Sequence, residues 1–178
     1  MSDHYRFTIL GCGSSGGVPR LGGHWGDCDP ENPRNIRRRC SMLVERVGPG
    51  GITSVLIDTS PDLRSQLLDT GTGRLDGVIF THAHADHTHG IDDLRMIVFN
   101  MKTRLPVWAD GPTQDALLAR VGYAFAQPEG SPYPPILNLC AIDGDIAVDG
   151  TITLVEYLGS ELFVYVALAD GQSLLAQA

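Results

Sequence analysis

The sequence has 178 residues, of which 43% are apolar, so it is long and apolar enough for one ordinary domain with a buried core. Its formal net charge of −8 weighs against a broad nucleic-acid-binding surface, and no run of about 18 apolar residues could cross a membrane. Because the N-terminus lacks a basic and then apolar secretory signal, we expect a cytoplasmic protein whose four cysteines are reduced thiols or metal ligands.

A strand and a glycine-rich turn begin the predicted fold. Residues 5–10 alternate loosely between polar and apolar types, which predicts a strand, and residues 11–17 follow as a turn. Gly11, Gly13 and Gly16 match the G-x-G-x-x-G pattern of dinucleotide-binding loops, but that pattern requires a helix directly after the turn. Pro19 and the polar stretch after it disfavour such a helix, so dinucleotide binding is not expected.

Residues 22–39 are mostly polar and show no periodicity, which predicts a long irregular loop. The loop ends in Arg37, Arg38 and Arg39, and two interpretations of this charge run stay open. Either the guanidinium groups bind a phosphate, or they are solvated on the loop.

A β-hairpin follows the loop. Two strands are predicted at residues 42–47 and 54–57, joined by a turn of glycines and proline. Asp58 follows the second strand directly, and the Thr-Ser pair before Pro61 is typical of a helix start. We therefore predict a short helix at residues 61–68.

The densest group of potential metal ligands lies at residues 81–87, which read THAHADH. An apolar run at residues 75–80 predicts a buried strand before this group, and apolar residues at helical spacing predict a helix over residues 91–98. The group therefore lies at the end of a strand, where α/β proteins usually bind ligands.

The spacing of these ligands divides them into two pairs. In an extended segment His82 and His84 point to the same side, so both can reach one metal ion. Asp86 and His87 come after the chain turns and can face a second ion. Imidazole and carboxylate ligands suit zinc, iron or manganese.

The rest of the chain continues the alternation of strands and helices. The pattern predicts a strand at residues 104–109, an amphipathic helix at residues 113–121 and a loop at residues 127–135. Residues 136–142 and 146–148 are predicted to form a pair of strands.

The ligand group resembles the His-x-His-x-Asp-His motif of the metallo-β-lactamase superfamily. Further stretches are similar to the branch that contains phosphoribosyl cyclic phosphodiesterases and ribonuclease Z-type enzymes. These stretches are GCGSSGGVPR at 11–20, CDP at 28–30, RCS at 39–41, LIDTSPDLR at 56–64 and GIDDLR at 90–95. The resemblance implies a mixed α/β (α+β) fold, namely the first half of a metallo-β-lactamase αββα sandwich, followed by a short β appendage.

The same resemblance implies roles for individual residues. His82 and His84 are implied to bind one metal ion, and Asp86 and His87 the other, with two zinc or manganese ions in the intact family. Asp86 is also the implied catalytic residue, because it would orient the water that attacks phosphorus. Asp58 is implied to lie beneath the metal site and to orient a ligand histidine.

Three further residues are candidates for supporting roles. His89 is expected either behind a metal ligand or facing the substrate. Some relatives hold a structural zinc with cysteines, and Cys28 and Cys40 occupy the matching segment, although buried free thiols are an equal interpretation. The implied partner is a small phosphodiester such as a cyclic phosphate; a nucleic-acid substrate is not favoured by the net charge, and a homo-oligomer is compatible with the pattern.

The family pattern is incomplete in this sequence. The family places two later histidines and a bridging aspartate downstream, whereas no histidine follows His89 here. Residues 151–178 instead resemble the TOBE segment of ABC sugar-importer ATPases, so we predict a hydrolase part at residues 1–150 and a TOBE-like β segment after it. Two hypotheses follow: a metal-dependent phosphodiesterase that uses a metal-activated water, or a truncated, non-catalytic remnant that binds metal weakly or not at all.

Overall fold

The computed structural model describes residues 4–142 in full and the backbone of three later strands, at residues 150–158, 161–168 and 173–177. The chain divides into two compact units, Met1–Asp143 and Gly144–Ala178. No helix among the described residues is long and apolar enough to cross a membrane.

The larger unit is built on a six-stranded mixed sheet with the strand order β1-β2-β3-β4-β5-β6. The first three strands pair antiparallel, and β3 to β6 pair in parallel. A short turn suffices between antiparallel strands, whereas each parallel pair needs a crossover connection. The strands are β1 His4–Gly11, β2 Ser41–Gly48, β3 Gly51–Ile57, β4 Gly77–Ile79, β5 Leu105–Ala109 and β6 Leu137–Ala141.

Helices fill the crossover connections between the parallel strands. They are α1 Leu63–Thr70, α2 Ala85–Thr88, α3 Leu94–Met101 and α4 Gly111–Val121, with short 3₁₀ turns at Pro33–Asn35, Ile91–Asp93 and Gly122–Ala124. The Asp110 side chain begins α4 by accepting a hydrogen bond from the Thr113 backbone N–H at 2.9 Å. Helix α1 ends at Thr70, and the next residue, Gly71, closes its last turn in the left-handed conformation with a φ of 66°.

One apolar core joins the sheet to the helices. Leu105, Val107 and Ala109 alternate along β5 and are fully buried, as expected for a strand whose inward face packs on helices. They share one buried cluster with Leu63 of α1 and Leu94 of α3. This packing holds the parallel strands in place against the helices, and so it positions the loops at the carboxyl ends of those strands.

The fold class predicted from the sequence is confirmed, with local differences. The helix predicted over residues 91–98 begins as the 3₁₀ turn Ile91–Asp93 and continues as α3, which ends at Met101. The first helix begins at Leu63 rather than residue 61, because residues 58–62 form a hydrogen-bonded loop described below. The strand predicted at 136–142 is β6, and it pairs in parallel with β5. Its predicted partner at residues 146–148 lies outside the described residues.

The smaller unit is a three-stranded antiparallel sheet with the order β7-β8-β9. Its strands are β7 Gly150–Leu158, β8 Glu161–Leu168 and β9 Ser173–Gln177. They form the short β appendage expected from the sequence. The assignment of this segment as TOBE-like, and the domain boundary at residue 150, stay predictions.

Edge strand β1 exposes apolar side chains on one face, and we expect the chain to self-associate through them. Tyr5, Phe7 and Ile9 are 51%, 44% and 45% exposed, and an uncovered apolar edge promotes association. Size-exclusion chromatography should therefore show species larger than the 19.2 kDa monomer, and Phe7→Ser should reduce them. The matched control is Leu118→Ser on α4, which is 46% exposed. A monodisperse monomer that melts cooperatively above about 60 °C, beyond most mesophilic domains, would contradict this prediction.

Candidate metal centre

The histidine-rich segment lies at the carboxyl end of β4. This short parallel strand ends at Ile79, and the four-residue helix α2 begins at Ala85. His84 occupies the position before α2 with an extended backbone, at a φ of −66° and a ψ of 150°. The chain turns as it enters α2, so Asp86 and His87 lie beside the extended segment that carries His82 and His84.

The structure brings the four predicted metal ligands together. The ring centroid of His82 lies 4.5 Å from that of His84 and 4.1 Å from that of His87. Nε2 of His87 lies 3.5 Å from Oδ2 of Asp86. His84 is exposed and the other three side chains are half-buried, so solvent and small molecules reach the cluster.

Asp58 lies behind this cluster and is 2% exposed. Its Oδ1 accepts a hydrogen bond from the Thr81 backbone N–H at 2.8 Å, and its Oδ2 accepts one from the Thr81 hydroxyl at 2.7 Å. Oδ2 also lies 2.7 Å from Nδ1 of His87. A carboxylate oxygen accepts this hydrogen bond, so Nδ1 of His87 is the donor, and in the neutral tautomer Nε2 is then the nitrogen with the free lone pair.

Thr81 sets the tautomer of His82 in a similar way. The Thr81 hydroxyl uses its single proton on Asp58, so its oxygen accepts a hydrogen bond from Nδ1 of His82 at 2.9 Å. Nε2 of His82 is then also free to bind a metal. Thr81 was not predicted as a site residue; its position directly before the first histidine was the available signal, but only the fold brings it to Asp58.

The loop that carries Asp58 is held against the histidine segment by backbone contacts. Asp58 itself has a φ of 59°, a left-handed conformation that a non-glycine residue adopts at a cost of order 1–3 kcal/mol. The Thr59 N–H donates to the His87 carbonyl at 2.7 Å. A Cβ on Gly90 would lie 2.0 Å from the Ser60 carbonyl oxygen, so only glycine permits this approach. These contacts fix the carboxylate beneath the imidazoles.

The donor atoms of the cluster suit a metal ion in type and in protonation state. Nε2 of His82, Nε2 of His87 and the Asp86 carboxylate are the kinds of ligand that zinc and manganese accept. Within the described part of the chain, however, no three His, Cys, Asp or Glu side chains form a complete metal site. The ring contacts place the donors close together, but an ion needs further ligands or a rearrangement of these side chains.

The predicted structural zinc site involves Cys28 and Cys40. All four cysteines are free thiols; Cys28 is half-buried, and Cys40 is exposed. Among the described residues no group of ligands completes a site around this pair. The role of these two cysteines stays a prediction.

A groove of about 640 Å³ lies directly beside the cluster, and His84 and His89 both line it. His89 is exposed here, and its role behind a ligand or facing the substrate stays a prediction. Arg120 also lines the groove and donates a hydrogen bond to the Ala83 carbonyl, which ties α4 to the motif.

One strongly perturbed tyrosine, Tyr123, contacts a residue that lines this groove. The Tyr123 hydroxyl donates to Oδ1 of Asp92 at 2.7 Å, and Asp92 lines the groove. Burial, together with the Asp92 carboxylate, raises the pKa of Tyr123 to about 12. Tyr123 therefore stays protonated and anchors the Asp92 side chain.

Comparison with known proteins places this site in a family. The family model for the β-lactamase superfamily domain matches residues 53–164, which include the whole histidine segment and Asp58. The chain belongs to the metallo-β-lactamase superfamily. The fold is similar to that of a solved structure described as a new diphosphatase from the PhnP family, with a TM-score of 0.66 and 27% identity.

Two curated relatives of this superfamily member carry different names. It is 39% identical over 155 residues to a protein named octanoyltransferase from Porphyromonas gingivalis, and 41% identical over 64 residues to a ribonuclease Z from Bradyrhizobium diazoefficiens. These matches cover 86% and 35% of the chain but only 30% and 20% of the two relatives. The match to the PhnP-family diphosphatase covers 99% of the chain and 62% of that protein. The chain thus spans less than two thirds of each relative.

Replacing the Asp58 carboxylate should weaken zinc binding. We expect Asp58→Asn to lower zinc affinity about 10–100-fold, because the amide cannot hold both imidazoles in the required tautomer. Asparagine tolerates the left-handed backbone at this position, so the loop should keep its conformation. Competition with a chromophoric chelator measures the affinity.

Asp76→Asn is the matched control, since Asp76 is an exposed carboxylate that accepts from the Ser54 backbone N–H at 2.7 Å, before β4. Equal zinc affinities for Asp58→Asn and the unmodified chain would show that Asp58 does not support the metal ligands.

Proposed function

We propose that this chain carries the metal-binding part of a metal-dependent phosphodiesterase. The observation that carries the proposal is the hydrogen-bond network of one buried carboxylate. Through Asp58 and Thr81 it leaves Nε2 of both His82 and His87 available, which is an arrangement for binding metal rather than for general packing.

The proposed roles are those that the resemblance to the superfamily motif implies. His82 and His84 would hold one ion, and Asp86 and His87 a second; members of this superfamily typically bind two metal ions. When bound, zinc or manganese would lower the pKa of water toward about 7 and stabilise negative charge that develops on phosphorus. Asp86 is proposed to orient the attacking water, and Asp58 to keep the imidazoles in place.

A phosphodiester substrate is favoured by the relatives whose names state an activity on phosphoesters. The ribonuclease Z and the PhnP-family diphosphatase both fall in this class, although the chain covers only part of each. The chain covers 30% of the protein named octanoyltransferase and 20% of the ribonuclease Z, so neither name alone decides the reaction. The formal net charge of −8 favours a small phosphodiester over a long nucleic acid.

The alternative is a non-catalytic remnant, and a specific observation supports it. No histidine follows His89 in the sequence, and no complete metal site is formed among the described residues. Under this alternative the chain is related to the enzymes of the superfamily but binds metal weakly and has no turnover.

The reaction class is tested in a chimera that joins residues 1–150 to the C-terminal part of the PhnP-family diphosphatase. With zinc or manganese, it should hydrolyse bis(p-nitrophenyl) phosphate and a cyclic ribose phosphate, and p-nitrophenyl acetate much more slowly. A chimera that binds two ions yet hydrolyses only the carboxylic ester would contradict the phosphodiesterase proposal.

A further inference from the structure

A second groove, of about 770 Å³, has a different chemical character from the groove beside His84. It is formed by residues 15–21 and 36–39, together with His24 and Asp62. The glycine-rich turn thus lies opposite the arginine run, although about twenty residues separate them in the sequence. Neither the glycine-rich turn nor the arginine run has a role in the proposed metal centre.

Backbone hydrogen bonds fix the two walls of this groove to each other. The Gly13 N–H donates to the Arg38 carbonyl at 2.7 Å, and Val18 and Arg37 exchange two bonds of 2.9 Å. Gly17 has a φ of 65°, and a Cβ there would lie 2.9 Å from the Arg37 carbonyl oxygen. Because the contact at Gly17 requires glycine, the turn has a defined conformation and forms a fixed wall of the groove.

The lining of the groove is strongly basic on an otherwise acidic chain. Four arginines line it, namely Arg20, Arg37, Arg38 and Arg39, against the single carboxylate of Asp62. Arg39 already pairs with Asp62 at 2.6 Å, and Arg38 pairs with Asp69 at 2.7 Å. Arg20 is exposed and has no acidic partner among the described residues. The groove therefore keeps positive charge that an anion can use.

The loop 58–62 connects this groove to the metal centre. Its first residue, Asp58, contacts His87, and its last residue, Asp62, lines the arginine groove. The Asp62 N–H donates to the Ser60 hydroxyl at 3.1 Å, which holds the loop in a tight turn between the two ends. The pKa of Arg39 is raised chiefly by its hydrogen bond to Asp62, with a smaller contribution from the charge of Asp86. The groove and the proposed metal centre thus share the loop 58–62, with one at each end.

The size and donors of the groove define the ligand that would fit it. Arginine presents a planar fork of N–H donors that matches phosphate oxygens. A volume of about 770 Å³ is within the range of small-molecule sites and suits a nucleotide-sized anion. The formal net charge of −8 weighs against a longer polyanion such as RNA.

We propose that this arginine-lined groove binds a second phosphoryl group of the substrate. The preferred substrate is then a small molecule with two phosphoryl groups, such as a pyrophosphate-linked compound, rather than a simple diester. The assignment of the reaction to the histidine cluster rests on the proposed function, but anion binding in the groove does not.

The test is titration of the full 178-residue chain with inorganic pyrophosphate by isothermal calorimetry, in buffer with EDTA so that no metal contributes. We expect pyrophosphate to bind, and Arg20→Gln to weaken binding about tenfold, the usual effect of losing one hydrogen bond to a charged group. The matched control is Arg74→Gln, which removes an exposed arginine before β4 that does not line the groove. Thermal melting of each variant verifies folding.

A third variant separates this inference from the proposed function. His82→Ala should bind pyrophosphate as the unmodified chain does, because the histidine cluster is not part of the groove. Loss of pyrophosphate binding in His82→Ala, or equal affinities for Arg20→Gln and the unmodified chain, would overturn the groove proposal. Tighter binding of a short oligoribonucleotide than of pyrophosphate, with the same dependence on Arg20, would overturn the choice of a small substrate.

Discussion

Binding of the first zinc ion should be lost when either His82 or His84 is replaced by alanine. These two imidazoles are the proposed protein ligands of the first ion, and their rings lie 4.5 Å apart at the mouth of the site. With one of them removed, a single protein ligand remains for this ion, against three or more in catalytic zinc sites. Asp86→Ala should instead weaken the second ion only, since its carboxylate lies beside Nε2 of His87.

Isothermal titration with zinc distinguishes these variants by stoichiometry and affinity. His4→Ala is the matched control, because His4 is an exposed histidine at the start of β1, away from the motif in the sequence and in the sheet order. Unchanged stoichiometry and affinity in the His82, His84 and Asp86 variants would contradict the assignment of the motif as the metal centre.

Little or no hydrolysis of bis(p-nitrophenyl) phosphate is expected from the purified 178-residue chain. A two-metal site holds its ions about 3.5–4 Å apart, and this requires ligands that fix both of them. The motif supplies two protein ligands for each ion, and the described residues contain no complete site. Loss of supporting groups around a metal alone typically costs 10–100-fold, so a lack of ligands themselves should cost more.

The effect of the missing ligands on turnover is measured by comparing the chain with the chimera that carries the C-terminal part of the PhnP-family diphosphatase after Gly150. We expect turnover in the chimera to exceed that of the chain by at least about 100-fold, from the cost of missing ligands. A chimera with Asp86→Ala is the control for background hydrolysis. Robust metal-dependent turnover by the unmodified chain would contradict the expectation and would indicate that a second copy of the chain completes the site.

Local patterns in the sequence predicted much of the fold and of the site. The β2–β3 hairpin follows from its apolar runs and the glycine-rich turn between them, and the strand that ends before the histidines follows from residues 75–80. The candidate ligands are close in sequence, so their spacing alone suggested that they meet. Asp58 was expected near a ligand histidine by resemblance, and the structure places its Oδ2 2.7 Å from Nδ1 of His87.

Features that depend on contacts between distant segments were not accessible from the sequence. The role of Thr81 depends on a hydrogen bond to Asp58 across 23 positions of the chain. The arginine groove depends on the bond from Gly13 to Arg38, which only the folded chain brings together. A charge run on a loop has the same sequence pattern whether it is solvated or lines a groove, so both interpretations of the arginine run stayed open.

X-ray absorption at the zinc K-edge of the zinc-loaded chain tests most directly whether the histidine cluster binds metal. We predict scattering from nitrogen and oxygen atoms at about 2.0–2.2 Å, with the multiple-scattering pattern of imidazole and no sulfur contribution. The sulfur signal expected at about 2.3 Å for thiolate ligands would instead place the zinc on the cysteines and would contradict the assignment of His82, His84, Asp86 and His87.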